Sequence, residues 1–287
     1  MEKGIGFMRF TKMHGIGNDY IYINCFEEKV NNPSKCALYF SDRHTGIGSD
    51  GLVLIKPSDN ADFYMEMYNA DGSQAQMCGN AIRCVAKYVY EKGMTNKTNI
   101  DIDTLAGIKH LELFIDKDNK VENVRVDMGK PILTPENIPI ISPTGSSIKV
   151  PITVGGKLYL VTCVSMGNPH AVVFMNDVQD LNIEKIGPLF ENHEMFPERV
   201  NTEFCVVEAP DRIRMRVWER GAGETMACGT GSCATLVAAA ECGLTDRKAE
   251  IILNGGSLFI EWLDDGRVFM TGPAEFVFEG EIDEPQD

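Results

Sequence analysis

Long hydrophobic runs are absent from this sequence. The N-terminal segment MEKGIGFMRF has no extended apolar stretch, and no other segment approaches the ~18 consecutive apolar residues that a membrane span needs. We therefore expect neither a secretory signal nor a membrane helix. Positive charge is also scarce, since 27 Lys and Arg against 42 Asp and Glu give a formal net charge of −15. This charge disfavours nucleic acid or an anionic membrane as the main partner.

The patterns that hold a metal or a nucleotide are missing as well. The cysteines of CGNAIRC and CGTGSC are spaced differently from those of zinc or thioredoxin-type sites. The segment Gly46–Gly51 is Gly-rich but lacks a βαβ setting, so it does not predict a nucleotide site. We therefore expect no metal and no organic cofactor, although spacing alone leaves a pyridoxal-phosphate lysine open. Nine cysteines without a signal sequence predict free thiols in a reducing compartment, the cytoplasm.

The chain contains enough apolar material for one large domain or two ordinary ones. Its 287 residues are 44% hydrophobic and 24% charged, as in folded globular chains. Most of the sequence reads as short β-rich runs bounded by Gly, Asn, Asp or Pro. The predicted strands are Tyr20–Asn24, Leu52–Ile55, Phe63–Tyr68, Ile100–Thr104, Leu111–Ile115, Val121–Met128, Leu158–Ser165, Ala171–Met175, Glu203–Glu208, Ile213–Trp218, Glu250–Leu253, Leu258–Trp262 and Val268–Thr271.

Two segments 150 residues apart share one local design around a cysteine. In Met67–Cys84 and Val217–Ala234, a Gly-rich loop leads to Cys-Gly and then to a run rich in small and apolar residues. These runs predict two helices, Asn80–Glu91 and Gly231–Cys242, each of which ends at a glycine stop signal. Both helices are apolar on most of their surface, which predicts that they are enclosed by sheet.

The repeat extends beyond the cysteines. Gly17-Asn18 and Gly167-Asn168 stand at the same separation, which indicates a duplicated fold rather than a solenoid, whose period is about 20–50 residues. The proline-containing stretch Lys130–Pro151 is the predicted connection between the halves and is expected to be extended. The acidic segment Glu279–Asp287 is expected to fray at its end.

The position of the two cysteines suggests acid–base chemistry. Cys78 and Cys228 fall at predicted helix N-termini, where free N–H groups and the helix dipole lower a thiol pKa. Gly79 and Gly229 leave room for a substrate carboxylate against the same N–H groups. A thiolate on one face of a carbon atom could remove its proton while a thiol on the other face returns one. The pair therefore predicts a two-base racemase or epimerase.

Five motifs follow one another along nearly the whole chain: KMHGIGND, NADGSQAQMCGN, SMGNPH, FPERVN and ERGAGETMACGTG. In this order they resemble diaminopimelate epimerase. The resemblance implies cofactor-independent interconversion of LL- and meso-2,6-diaminopimelate, in lysine and peptidoglycan precursor synthesis, by a homodimer. It also implies an α+β fold of two pseudo-symmetric domains, each a mostly antiparallel, barrel-like sheet around a central helix, with the site in the cleft between them. We expect one domain at residues 1–129 plus a strand at about 274–287, and the other at 130–273.

The resemblance also implies roles for individual residues. Cys78 takes the place of the proton donor and Cys228 that of the acceptor, and the roles exchange with reaction direction. Glu219 and Arg220 match the pair that binds the distal zwitterion, which needs an acceptor for its ammonium and a donor fork for its carboxylate. The other substrate-binding positions that the resemblance implies are Asn18, Asn69, Gly79, Asn80, Asn168, Asn201, Gly229 and Thr230.

Two further positions, His170 and Gly51, affect which contacts the substrate is expected to make. His170 follows Gly-Asn-Pro and is expected to line the site and orient a thiol or a carboxylate, with a purely structural role equally open. The family often has glutamine where this chain has Gly51. That contact is therefore not expected here, and backbone or water must replace it.

Two other functions stay open at this point. Another two-cysteine racemase, such as a proline racemase, has no distal zwitterion to bind, so Glu219 and Arg220 discriminate against it. A thiol redox protein or a non-catalytic amino-acid-binding protein belongs to a different class. Such a protein would not exchange the α-proton of its ligand with solvent.

Overall fold

The computed structural model describes residues 7–285, which form four α-helices and eighteen strands. The helices are α1 (Pro33–Ser41), α2 (Gly79–Glu91), α3 (Ile183–Glu191) and α4 (Gly229–Glu241). The strands are β1 (Phe7–Gly15), β2 (Asn18–Asn24), β3 (Gly51–Lys56), β4 (Phe63–Asn69), β5 (Gln74–Ala75), β6 (Asn99–Asp103), β7 (Lys109–Ile115), β8 (Val121–Asp127), β9 (Val150–Val154), β10 (Lys157–Ser165), β11 (Pro169–Phe174), β12 (Asn201–Ala209), β13 (Arg212–Glu219), β14 (Gly223–Thr225), β15 (Lys248–Leu253), β16 (Gly256–Trp262), β17 (Val268–Gly272) and β18 (Glu275–Asp283).

The chain divides into two compact units. Unit 1 takes residues 1–126 and 272–287, and unit 2 takes residues 127–271. In unit 1, β18, β1 and β2 are antiparallel neighbours, β2 pairs parallel with β3, and β3 pairs antiparallel with β4. The sheet continues through a parallel pair of β4 with β6 and the antiparallel run β6, β7 and β8. Helices α1 and α2 form the crossovers that the two parallel pairs require.

Unit 2 repeats this topology. Strands β9, β10 and β11 are antiparallel neighbours, β11 pairs parallel with β12, and β12 pairs antiparallel with β13. A parallel pair of β13 with β15 leads to the antiparallel run β15, β16 and β17. The C-terminal strand β18 thus occupies in unit 1 the place that β9 occupies in unit 2. The expectation of an α+β fold with two pseudo-symmetric, mostly antiparallel units is confirmed.

Each unit encloses one apolar helix. All residues of α2 from Gly79 to Val89 are buried, and α4 is buried over most of its length. Both helices begin one or two residues earlier than the sequence predicts, directly after a cysteine with extended backbone. Both end at a glycine in the left-handed region, Gly93 with φ 71° and Gly243 with φ 70°, as the stop signals predict.

Some elements of the fold are not predictable from local sequence patterns. The strand β1 and the helices α1 and α3 are not predicted from the sequence, and α3 contains an internal proline, Pro188. The stretch Lys130–Pro151 is largely irregular, as expected, but contributes Ile138 and Ile140 to the hydrophobic core of unit 2. Within the acidic C-terminal segment, residues 279–283 continue β18 in register with β1, and residues 286–287 lie outside the described range. No helix among residues 7–285 is long and apolar enough to cross a membrane.

Candidate active site

Cys78 stands at the N-terminus of α2, half-buried, with an extended backbone at φ −132° and ψ 123°. Its thiol makes no capping hydrogen bond to the N–H groups of its own helix. Instead, Sγ donates towards Oδ1 of Asn18, 3.4 Å away at the start of β2. The same Oδ1 accepts a hydrogen bond of 3.3 Å from Nδ2 of the buried Asn80. Three residues of the predicted site therefore form one cluster in unit 1.

Cys228 holds the corresponding place on α4, but its contacts differ. It is buried, and Sγ accepts a 3.4 Å hydrogen bond from the N–H of Gly231 and lies 3.6 Å from Oγ1 of Thr230. Burial raises the pKa of the Cys228 thiol well above its ordinary value, and the carboxylates of Glu219 and Glu203 raise it further. The expectation of a lowered pKa at Cys228 is thus wrong for the protein without substrate, because these effects outweigh the helix N-terminus.

Asn69 and Gly51 face each other across the strand pair β3 and β4. Nδ2 of Asn69 donates a 3.0 Å hydrogen bond to Oγ of Ser73. A Cβ atom on Gly51 would lie 2.1 Å from the carbonyl oxygen of Tyr68 and 2.8 Å from a ring carbon of Tyr20. This backbone has no space for a side chain at Gly51.

Asn168 and His170 belong to a buried polar chain in unit 2. Nε2 of His170 lies 3.0 Å from Oδ1 of Asn168, and Nδ1 lies 2.7 Å from Oε1 of Glu203. Both His170 and Glu203 are completely buried. The histidine therefore contacts a buried carboxylate of its own unit, and its role beside the site stays a prediction. Glu203 was not predicted, although a glutamate within the apolar run NTEFCVV is a usable signal.

The three predicted residues Asn201, Glu219 and Arg220 lie around the end of β13. Oδ1 of Asn201 accepts a 2.8 Å hydrogen bond from the Arg220 N–H, and the Arg220 guanidinium donates at 2.8 Å to the carbonyl of Glu198. Oε1 of Glu219 accepts from the Thr225 hydroxyl at 2.5 Å. Burial raises the pKa of the Glu219 carboxyl, while the hydrogen bond from Thr225 opposes this rise.

A buried glutamate on α3 fixes the turn that carries this pair. Oε2 of Glu191 accepts from the Trp218 indole N–H at 2.7 Å, and Oε1 accepts from the Gly221 N–H at 3.0 Å. The backbone of Gly187, one helical turn earlier, packs directly against the Trp218 ring. A Cβ atom at this position would lie 2.3 Å from the ring, so only glycine fits there. Glu191 is not predicted from the sequence, because nothing local distinguishes it from a surface glutamate.

The candidate residues occupy matching places in the two units, 150 residues apart. Cys78 corresponds to Cys228 and Asn18 to Asn168, whereas Gly51 corresponds to Asn201 and Asn69 to Glu219. Of the shared asparagines, Asn18 contacts the Cys78 thiol and Asn168 contacts His170. The differing residues lie at the ends of their strands. Among residues 7–285, no group of three or more His, Cys, Asp or Glu side chains comes together as a metal site would require.

The fold is that of a class of solved racemases and epimerases. A hydroxyproline epimerase from Agrobacterium vitis superimposes with a TM-score of 0.70 at 14% identity, covering 99% of this chain and 94% of its own. A probable proline racemase from Agrobacterium radiobacter gives a TM-score of 0.69 at 15% identity, covering 96% of this chain and 92% of its own. At such identities the likeness shows the fold alone.

The sequence comparison identifies the family. The diaminopimelate epimerase family model matches residues 10–134 and 162–277. A diaminopimelate epimerase from Acetivibrio thermocellus is 60% identical over 277 residues, covering 96% of this chain and 99% of the relative. Another from Methanococcus maripaludis is 57% identical over 277 residues, covering 96% of this chain and all of the relative. The chain belongs to the diaminopimelate epimerase family, which confirms the family predicted from its motifs.

Proposed function

We propose that this protein is an isomerase that interconverts LL- and meso-2,6-diaminopimelate with two cysteines and no cofactor. The observation that carries the proposal is the pair Cys78 and Cys228, at corresponding helix N-termini of two like units in a chain of this family.

Inversion of the α-carbon requires one proton transfer at each of the two thiols. The Cys228 thiolate takes the α-proton, and the Cys78 thiol gives its proton to the opposite face of the carbanion, so the centre is inverted. Cys228 ends as a thiol and Cys78 as a thiolate, and the reverse reaction or exchange with solvent restores them. N–H groups in the first turns of α2 and α4 are suited to stabilise the carboxylate of the carbanion, a contribution worth several kcal/mol in a dry site, roughly 3–4 per donor.

Substrate binding would bring a positive charge that lowers the pKa of the Cys228 thiol. Glu219 raises the pKa of the Cys228 thiol in the protein without substrate. An ammonium group of the substrate beside Glu219 would offset that negative charge. Cys228 would then lose its proton to solvent more readily, which favours the thiolate only when the substrate is in place.

Glu219 and Arg220 also favour diaminopimelate over proline as the substrate. A carboxylate and an exposed guanidinium on adjacent residues can bind the ammonium and carboxylate of one zwitterionic end. Proline has a single amino-acid end and would leave this pair unused. The relatives at 57–60% identity are diaminopimelate epimerases, whereas the likeness to the proline racemase is confined to the fold.

We further propose that the protein acts in the cytoplasm as a homodimer, in lysine and peptidoglycan precursor synthesis. The proposed setting follows from the free thiols and from the family. Light scattering after size-exclusion chromatography tests the dimer, which a monomer mass at micromolar concentration would exclude.

Alanine variants of the two cysteines test the mechanism. Cys78→Ala and Cys228→Ala should each reduce inversion of LL-diaminopimelate to below about a thousandth of the wild-type rate, because one of the two proton transfers is lost. Chromatographic separation of the stereoisomers measures the rate. Cys84→Ala and Cys233→Ala, on the same two helices but in the core, are the matched controls and should retain activity. Inversion at near wild-type rate in either of the first two variants would disprove the proposal.

A further inference from the structure

We propose that Asp50 is a positioning residue, which sets the direction of the Asn18 amide and thereby keeps Cys78 in the thiol form as the proton donor. This inference rests on the proposed catalytic role of Cys78. It assigns a function to a carboxylate that the mechanism above does not use, and it explains why two corresponding thiols take opposite roles.

The hydrogen bonds of Asn18 allow one orientation of its amide. An ionised carboxylate can only accept hydrogen bonds, and Oδ2 of Asp50 lies 2.7 Å from the side-chain nitrogen of Asn18. The same Oδ2 accepts the backbone N–H of Asp19 at 3.1 Å. The Asn18 NH₂ group must therefore face Asp50, and its carbonyl oxygen must face Cys78. The Asn80 amide donates to that oxygen at 3.3 Å, which agrees with this direction.

A carbonyl oxygen beside sulfur favours the protonated form. The thiol can donate to Oδ1 of Asn18 across 3.4 Å, whereas a thiolate there would face the negative end of the carbonyl dipole. The N–H groups in the first turn of α2 act in the other direction, but the Cys78 side chain makes no capping bond to them. The orientation of Asn18 thus decides which form of Cys78 is favoured.

The Arg43 guanidinium holds the Asp50 carboxylate in place and links it to Asp19. Nη2 of Arg43 lies 2.9 Å from Oδ1 of Asp50 and 2.8 Å from Oδ1 of Asp19, and Lys12 pairs with Asp19 at 2.7 Å. Because β2 and β3 are parallel neighbours, the residue before β3 lies beside the first residues of β2. The fold itself therefore brings Asp50 to Asn18.

Unit 2 lacks this arrangement. The residue 150 positions after Asp50 is the apolar Val200, and Asn168 contacts His170 instead of a carboxylate. The Cys228 sulfur, in turn, accepts a hydrogen bond from the Gly231 N–H, a contact that suits a thiolate. The two sites differ in the direction of the hydrogen bond at sulfur, as a donor and an acceptor of protons should.

Three other titratable groups close to Cys78 keep one protonation state at pH 7. Burial raises the pKa of Tyr22 well above its ordinary value and that of Cys84 to about 11, so both stay neutral near pH 7. The Arg83 guanidinium on α2 donates to the Gly79 carbonyl at 3.1 Å and keeps its charge. A change in Cys78 reactivity at pH 7 on altering Asp50 therefore does not arise from these three groups.

Alkylation of Cys78 in the full chain tests the proposal. Iodoacetamide reacts with the thiolate, and mass spectrometry of the Cys78 peptide gives its rate between pH 6 and 9. Asp50→Asn keeps the shape but can both donate and accept, so Asn18 is free to turn its NH₂ towards sulfur. We expect the rate at pH 7 to rise roughly three- to tenfold. Asp19→Asn removes one negative charge nearby without changing the partner of Asn18, and it should alter the rate less than about twofold.

Two results would overturn the proposal. One is an unchanged Cys78 rate in folded Asp50→Asn protein, and the other is an equal rise in Asp19→Asn, which would mean that charge alone matters. Should circular dichroism show that Asp50→Asn does not fold, Asn18→Ala replaces it. Removal of the carbonyl must then raise the rate, and no rise contradicts the proposal. Since alkylation is measured without substrate, failure of this inference is distinguishable from absence of inversion in the epimerase assay.

Discussion

Single residues give the two thiols their different environments. Cys78 donates to a side-chain carbonyl, whereas Cys228 accepts a backbone N–H and lies under the influence of two carboxylates. The local repeat in the sequence predicts where the thiols stand, because Cys-Gly before an apolar run is a short-range signal. It cannot predict Asp50 or Glu203, since their contacts join residues more than 30 positions apart.

Glu219→Gln is predicted to change the reactivity of Cys228. The Glu219 carboxylate raises the pKa of this thiol, so its replacement by a neutral amide should lower the pH midpoint of Cys228 alkylation. The variant should also raise KM for diaminopimelate at least tenfold, because the ammonium loses a charged partner. Alkylation against pH and steady-state kinetics measure the two effects.

A matched control is Glu224→Gln. Glu224 lies five residues further on and pairs with Arg216 instead of the thiol, so this variant should leave the Cys228 midpoint unchanged. An unchanged midpoint in Glu219→Gln, or an equal shift in both variants, would show that Glu219 has no specific influence on Cys228.

Secondary-structure elements determine how firmly the distal binding pair is held. Glu191 on α3 accepts hydrogen bonds from Trp218 and Gly221. These two residues stand directly before and after Glu219 and Arg220 in the chain, so α3 holds both ends of the pair. The sequence predicts α2 and α4 because both are long, apolar and bounded by clear start and stop signals. It does not predict α1 and α3, which have nine residues each and contain prolines, Pro33 at the start of α1 and Pro188 inside α3. Tertiary packing stabilises such short helices more than their own propensity does.

Glu191→Ala is expected to weaken both stability and substrate binding. It leaves the Trp218 indole N–H and the Gly221 N–H without their acceptor, at a cost of about 2–4 kcal/mol in the free energy of unfolding. Urea denaturation measures this loss, and KM should rise more than kcat falls. Glu194→Ala, three residues away and exposed, should change neither. Wild-type stability and KM in Glu191→Ala would contradict the role of α3.

At the scale of the whole molecule, one topology is used twice with different residues at matching positions. The duplication was predictable from Gly-Asn, Cys-Gly and the glycine after each helix, which all recur at a separation of 150 residues. The place of β18 in unit 1 was implied only by the family resemblance, because strand pairing between the first and last parts of a chain has no local signature in sequence. The asymmetry of the residue pairs is what the proposed chemistry requires, since one end of the substrate reacts and the other is only held.

The buried thiols should make the fold sensitive to alkali. Burial raises the pKa of Cys163 from 9.0 to about 12. Unfolding at pH values above about 9 therefore releases a proton from this thiol, and the stability that it contributes below that pH is lost as the pH rises towards 12. In Cys163→Ala the free energy of unfolding should fall less steeply between pH 9 and 11, by up to about 1.4 kcal/mol per pH unit. Urea titrations at several pH values measure the slopes, and equal slopes would count against the assignment.

Exchange of the substrate α-proton with solvent tests the central claim most directly. The reduced wild-type protein is incubated with LL-diaminopimelate in deuterated water, and the products are followed by mass spectrometry and by separation of stereoisomers. Two-cysteine epimerisation predicts deuterium at the α-carbon of the meso product, with proline left unlabelled under the same conditions. Absence of α-deuterium from diaminopimelate would contradict two-cysteine epimerisation by this protein.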